Sequence, residues 1–250
     1  MPNIVLIIGS APDAIRASHW NKTTFSKIIA INNAWKVRDD WDFLIHPDDF
    51  LASKRPQVIS EDQAIITAND YVPIQNTYGG FVYAGGTMAF TSAYWALGAL
   101  KPDILAFIGC DMVYPTTGEA THFYGTGVAD PLRDDVTLQS LEAKSTRLFY
   151  IASQQQCLCI NLSIAEESRM IFPRVSIEAL EQFNQDDYQR HTNNFNQMFD
   201  MAHINQAVKR EQDLAFYIES GHYWKHLDTI CSTELSALDN LWMNALVFDA

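Results

Sequence analysis

The chain has 250 residues, 48% of them hydrophobic, enough to bury a full core and close to the upper length for a single domain. Its formal net charge of -13, from 30 acidic and 17 basic side chains, opposes general binding to nucleic acid or anionic membrane and leaves room for a local positive pocket around one phosphate. No run reaches the ~20 apolar residues of a membrane span, Met1-Pro2-Asn3 leads into a strand pattern without a signal-peptide charge region, and Cys110, Cys157, Cys159 and Cys231 are too sparse for a disulfide framework, so a reducing cytoplasm is the expected location.

Ile4 to Ile8 reads as the first strand. The turn Gly9-Ser10-Ala11-Pro12 and a short helix follow, with Ser10 or Asp13 near the cap and Pro12 in the first turn. Lys27 to Ile31 is a second strand ending in Asn32-Asn33, and Asp42 to Ile45 is a third, closed by His46-Pro47-Asp48-Asp49. The polar residues at these strand ends are expected to point into one rim. Val58 to Thr67 contributes another strand. Tyr71 to Tyr83, rich in Gly, Pro, Asn and aromatic residues, reads as a loop across the crevice, and Gly79-Gly80 and Gly85-Gly86 give it freedom to approach a ligand. Thr87 to Leu100 has little charge and many helix formers, which suits a buried helix on the sheet.

The stretch Lys101 to Tyr114 organises the rest. Its apolar run ends abruptly in Gly109, Cys110 and Asp111, the pattern of a buried parallel strand whose carboxyl end presents an acidic residue over a site. Residues 112–136 form a long loop, and its aromatic content argues for function over disorder. Thr137 to Gln154 resembles a helix, and Cys157 to Leu162 a final strand in which Cys157 and Cys159 are buried or oppositely facing thiols, not a metal pair. Beyond Pro173 a helix starts at Ser176, and amide-rich, acidic helical segments run on to Phe248, broken near Gly221 and Ser232. The expected fold is α/β, a Rossmann-like, mostly parallel sheet flanked by helices over residues 1–172. A helical addition over 173–250 covers the core or joins copies of the chain into a homo-oligomer.

Neither G-x-G-x-x-G nor G-x-x-x-x-G-K-S/T is present, yet a strand, a tight turn and exposed amides at Gly9, Ser10 and Ala11 can cradle a nucleotide phosphate; the alternative is a structural turn. Of Asn32 and Asn33, one can read a base or ribose edge while the other forms the turn. Asp111 can accept hydroxyl donors, organise the loop, bind a divalent metal or act as a base. Its metal reading needs convergence with Asp48, Asp49, Glu119 and Asp130. His122 in the long loop is a natural general base near neutrality, against the plainer reading of a packing histidine, and Tyr114 and Tyr124 flank it. His46 faces the same rim, and Cys110 reads as a buried thiol.

Several segments, in this order, together resemble the bacterial sialyltransferases related to the Campylobacter lipooligosaccharide enzymes, and more loosely the pterin-diphosphokinase-like proteins. They are Gly9-Ser10-Ala11-Pro12, Ile31-Asn32-Asn33, His46-Pro47, Gly85-Gly86-Thr87, Gly109-Cys110-Asp111-Met112-Val113-Tyr114, Thr121-His122-Phe123-Tyr124-Gly125 and the closing strand through Ser163. The resemblance spans about the first 170 residues. It implies metal-independent, inverting transfer of sialic acid from a CMP-sugar donor to a glycan hydroxyl, with no tightly bound cofactor. Gly9, Ser10 and Asn32 would hold the cytidine nucleotide, His46 stands at the family's second donor-site Asn, and Gly85-Gly86-Thr87 replaces its Thr-Ser-Gly turn. Tyr114 is nearest to the tyrosine that bonds the leaving phosphate, and Asp111 would organise the donor pocket.

The family's catalytic imidazole falls on Thr126, and threonine cannot abstract a proton at neutral pH, so the base would be His122. Two alternatives stand beside this expectation: a magnesium-dependent diphosphate or phosphoryl transferase, and a non-catalytic nucleotide-sugar-binding protein.

Overall fold

The computed structural model describes residues 2–114, 120–126 and 134–247. Its sheet contains β1 (Ile4–Ile8), β2 (Lys27–Ile31), β3 (Phe43–Ile45), β4 (Ala64–Ile66), β5 (Ile104–Ile108) and β6 (Leu158–Asn161), all parallel, in the order β4-β3-β2-β1-β5-β6. The central pair sets IVLII beside ILAFI in register from Ile4↔Ile104 to Ile8↔Ile108, and every residue of both strands is buried. Such unbroken apolar strands belong to a sheet covered on both faces. The chain steps outward from β1 to β4, then crosses back to lay β5 on the other side of β1. The strand order therefore reverses between β1 and β5, and a crevice opens at their carboxyl ends.

Two expectations about the second quarter of the chain are corrected. The strand expected over Val58 to Thr67 is confined to Ala64–Ile66. The loop expected over Tyr71 to Tyr83 is instead α1 (Ala68–Thr77) and α2 (Phe81–Ala84). Pro73 removes one helix donor from α1, but the Asp70 carboxylate accepts from Thr67 N at 2.8 Å and Thr67 Oγ1 at 3.0 Å, closing the first turn. Buried Tyr71 and the packing of α1 on the next helix supply the rest.

That next helix, α3 (Met88–Ala99), begins at Thr87, whose hydroxyl accepts from Phe90 N at 3.3 Å. Residues Met88 to Leu97 are buried all round, as a helix between sheet and neighbours requires. α4 (Leu141–Gln154) starts at Leu141 and not at Thr137, because Val136–Leu138 form a 3-10 turn. The Asp135 carboxylate holds this turn by accepting from Thr137 N and Oγ1.

After β6 come α5 (Ile177–Glu181), α6 (Gln185–Thr192), α7 (Met201–Leu214) and α8 (Ser232–Met243). α8 packs on α7 and α4. Arg147 of α4 is buried and spends its donors on three elements: both Glu211 carboxylate oxygens of α7 at 2.7 and 2.8 Å, the Tyr94 hydroxyl of α3 at 2.8 Å and the Tyr78 carbonyl at 2.7 Å. Trp242 of α8 donates its indole N–H to Glu211 at 2.9 Å. Beside this hub, Lys144 Nζ lies 2.6 Å from Asp239 Oδ1, with both side chains buried. No helix among the described residues is long and apolar enough to cross a membrane.

A buried ion pair is costly to half-remove, since the remaining charge loses its counterpart. Lys144→Met is expected to lower stability by about 3–5 kcal/mol in urea unfolding, and Lys144→Met/Asp239→Leu to recover part of that loss.

Candidate functional site

The crevice is made where β1 and β5 end side by side. Gly9 N donates to the Ile108 carbonyl at 2.8 Å and Ala11 N to the Gly109 carbonyl at 2.9 Å. A methyl group on Gly9 would collide with the Gly109 carbonyl oxygen and Cys110 Sγ, and one on Gly109 would sit 2.6 Å from Ala14 Cβ. Gly109 also has φ +69°, a conformation that side chains disfavour. Two non-glycine residues, Asn32 (φ 52°) directly after β2 and Met112 (φ 55°) beyond β5, adopt the left-handed conformation. Asn adopts this region more readily than most side chains; for Met it is strained. Both line the crevice, where such strain tends to be kept.

The cleft at this point measures ≈ 210 Å³ and brings together Gly9, Ser10, Asn32, Asn33, Thr87, Tyr114 and His122. These residues come from strand ends and loops up to the 120s, yet share one wall-to-wall space. Asn33 is buried, and Oδ1 of both Asn32 and Asn33 lacks a hydrogen-bond partner among the described residues. Met88 and Ala89, the first residues of α3, also line the cleft, together with exposed Lys54. First-turn amides have no acceptor within their own helix, and the helix dipole favours an anion there.

His122 reaches the cleft on a tight turn. His122 N donates to the Gly125 carbonyl at 2.9 Å, Gly125 N returns to the His122 carbonyl at 3.0 Å, and Phe123 N donates to the Ser10 carbonyl at 3.0 Å. The turn is thereby docked on the residue that follows Gly9. The buried His122 ring stacks on Tyr124 with centroids 4.9 Å apart, lies 6.1 Å from the Tyr114 ring, and its Nδ1 is 2.8 Å from Thr121 Oγ1. Thr126 is exposed and does not line the cleft.

Other expected site residues lie elsewhere, so the strand-end polar groups do not all share one rim. The His46 ring is buried against Phe50 and its Nδ1 is 2.8 Å from the Pro47 carbonyl, which takes it out of the cleft lining. Ala11 contributes its amide to the Gly109 contact, and Gly85 is tucked against Lys144 and Phe90. Gly86 N donates to Thr137 Oγ1 at 3.0 Å.

Asp111 turns toward β6. Its Oδ1 accepts from Asn161 Nδ2 at 3.2 Å and its Oδ2 from Ser163 Oγ at 2.7 Å. Asp48 and Asp49 line a different cavity, so they do not converge with Asp111; Glu119 and Asp130 lie outside the described residues. Among the described residues no group of three or more His, Cys, Asp or Glu is placed to hold a metal. Burial, then the neighbouring Asp111 carboxylate, pushes the Cys110 thiol up, so its sulfur stays protonated.

The Ser163 hydroxyl also lies 2.8 Å from Asp13 Oδ2. One hydroxyl has one proton and cannot donate to two carboxylates at once. Burial raises the Asp13 pKa, the Ser163 bond lowers it and the Asp111 charge raises it again, with a net upward shift. A proton on Asp13 would let it donate to Ser163 while Ser163 donates to Asp111.

A second, larger cavity of ≈ 740 Å³ adjoins the cleft and shares Asn32, Phe50, Lys54 and Met88 with it. No protein-family model matches the chain, and no curated protein or solved structure is significantly similar to it. Lys54, Phe50, Met112 and the amino end of α3 are the site components that motif reading misses. Thr87 ahead of a charge-free helix was the available signal for the helix end, whereas nothing local marks Lys54.

The raised pKa of Asp13 sets a direction for stability. The folded state holds this proton above the pH at which the unfolded chain releases it, near ~4. Stability from this group is full below that pH and is lost as pH rises through the folded-state value. Asp13→Asn is expected to remove that slope, checked by urea unfolding at a series of pH values.

Proposed function

We propose that the chain is a nucleotide-sugar-dependent glycosyltransferase of the sialyltransferase type, moving an acidic sugar from a CMP-sugar to a hydroxyl with inversion. What carries the reading is one observation: a buried imidazole, His122, faces the same small cleft as the Gly9 turn, the two asparagines and the amino end of α3. The cleft lies at the strand-order reversal where open parallel sheets collect nucleotides.

In this scheme the nucleoside lies against Asn32 and Asn33, whose free carbonyl oxygens suit an exocyclic amine or ribose hydroxyls. The phosphate meets the Met88 and Ala89 amides at the start of α3 and Lys54, the Phe90 amide being held by Thr87. With Nδ1–H donating to Thr121, His122 Nε2 carries the lone pair that takes the proton of the acceptor hydroxyl. The acceptor oxygen forms the new bond to the anomeric carbon as the bond to the phosphate oxygen breaks, and CMP leaves with that electron pair. The Tyr114 hydroxyl and the α3 amides meet the negative charge that develops on the phosphate. Nothing in this route calls on redox chemistry.

Calorimetric titration with CMP, CDP, UDP and GDP, with and without magnesium, is expected to show selective, magnesium-independent binding of CMP. His122→Asn is expected to lower CMP-sugar turnover by about 10²–10⁴-fold while weakening CMP binding far less. Absence of CMP binding, or turnover unchanged in the variant, would overturn the assignment.

A further inference from the structure

We propose that the ≈ 740 Å³ cavity beside the nucleotide cleft is the acceptor site, and that it selects a cationic amino-sugar unit. The inference rests on the glycosyltransferase reading and names the acceptor class for it. Asn32, Phe50, Lys54 and Met88 line both spaces, so the cavity and the cleft adjoin and a ligand in one lies beside a ligand in the other. The volume falls within the range of small-molecule sites, roughly 300–1,000 Å³.

The outer wall comes from the C-terminal segment around residues 220–227, and it is fastened in place. Gly221 (φ +75°) is seated so closely that a methyl group would lie 3.0 Å from Phe81 and 3.2 Å from Val72. The Tyr223 ring stacks on Phe81 with centroids 6.4 Å apart, and its hydroxyl donates to Asp135 Oδ2 at 2.7 Å. Trp224, next in sequence, keeps 56% of its surface exposed at the cavity wall. An exposed indole there offers a flat apolar face to a sugar ring and a negative π-face to a cation.

Charge decides the class of ligand. The described lining carries four carboxylates, Asp48, Asp49, Asp134 and Asp135, against one lysine, Lys54. Asp48 and Asp49 are exposed, and the lining hydroxyl of Tyr71 has its pKa pushed up to about 12 by burial and then by these two carboxylates. Carboxylates only accept hydrogen bonds, so they match ligand hydroxyl and ammonium donors. A neutral sugar can pair its hydroxyls with them but leaves their charge unbalanced, and an acidic ligand would be repelled, whereas an ammonium group both donates hydrogen bonds and offsets their charge. The aromatic wall adds a cation–π contact. The positive inner cleft and the negative outer cavity would then sort an anionic donor from a cationic acceptor.

The test is calorimetric titration of the whole chain with methyl glucosaminide, methyl N-acetylglucosaminide and methyl glucuronide at low and high salt, with CMP titrated separately. The amine is expected to bind about ten-fold tighter than its N-acetyl counterpart and to weaken with salt. Asp48→Asn/Asp49→Asn and Trp224→Ala are each expected to weaken amine binding about ten-fold. These side chains are exposed, and thermal melts of the variants verify that they fold.

Equal or tighter binding of the N-acetyl or glucuronide ligand, no glycoside binding, or variants that bind the amine like the parent would each overturn the proposal. CMP binding without amine binding sinks the acceptor inference and leaves the donor reading standing. Amine binding without CMP binding sinks the donor reading and supports the charge preference of the cavity.

Discussion

β1 and β5 can stay paired to their carboxyl ends, and the turns beyond them can still separate, because Gly9 and Gly109 meet without side chains between them. The Gly9 amide completes the ladder to Ile108, and the Ala11 amide closes on Gly109. The two turns that face the inner cleft from β1 and from the 120s are hung from this contact. It places Ser10 where its carbonyl receives Phe123, and through that bond it brings the turn carrying His122 over the strand ends. It also places Cys110 and Met112 on one side of the opening and Asn32 on the other. A backbone approach this close leaves no space for a Cβ at either glycine, so the local geometry is a matter of sterics before any chemistry enters.

The second support is electrostatic and lies away from the cleft. Arg147 and Lys144 project from α4 into the space between the sheet layer and the last helices, where their charges are met by Glu211 and Asp239. Buried charges are tolerated when paired and hydrogen-bonded, and Arg147 satisfies this by engaging α7, α3 and the end of α1 together. Tyr83 adds a further tie, donating to the Glu211 carbonyl and accepting from Phe216 N. These contacts hold the C-terminal part of the chain against α1 and α2, which is what lets the segment around Tyr223 wall the larger cavity. A net charge of -13 is thus compatible with an anionic ligand, because the amino end of α3 and Lys54 create a local exception beside a strongly acidic chamber.

Much of the architecture is legible in the chain itself. Continuous apolar runs at 4–8, 28–31 and 104–108 have too little polar content to face water, so they mark the strands and the doubly covered sheet. The helices starting at Thr87 and Ser176 announce themselves by cap residues. Tyr71 to Tyr83 misleads because Pro73 and the paired glycines are local signals of a loop, while the Thr67–Asp70 turn closure and burial against α3 are what form the helix. Asp111 misleads for a related reason. Its place at a strand end is visible in sequence, but the direction of its carboxylate is chosen by Asn161 and Ser163, some fifty residues further on.

The sequence by itself determined the parallel α/β sheet, the glycine turn after β1, and Asn32, Asn33, Tyr114 and His122 as residues to watch, since periodicity and residue chemistry are local properties. Only the tertiary structure decided which of these share a space. It seated His122 beside the cleft and left Thr126 exposed, sent His46 and Asp111 into other contacts, and joined Lys54 to the amino end of α3. Those choices depend on backbone approach at Gly9 and Gly109 and on hydrogen bonds between distant segments, and pairings of that kind leave no periodic trace along the chain.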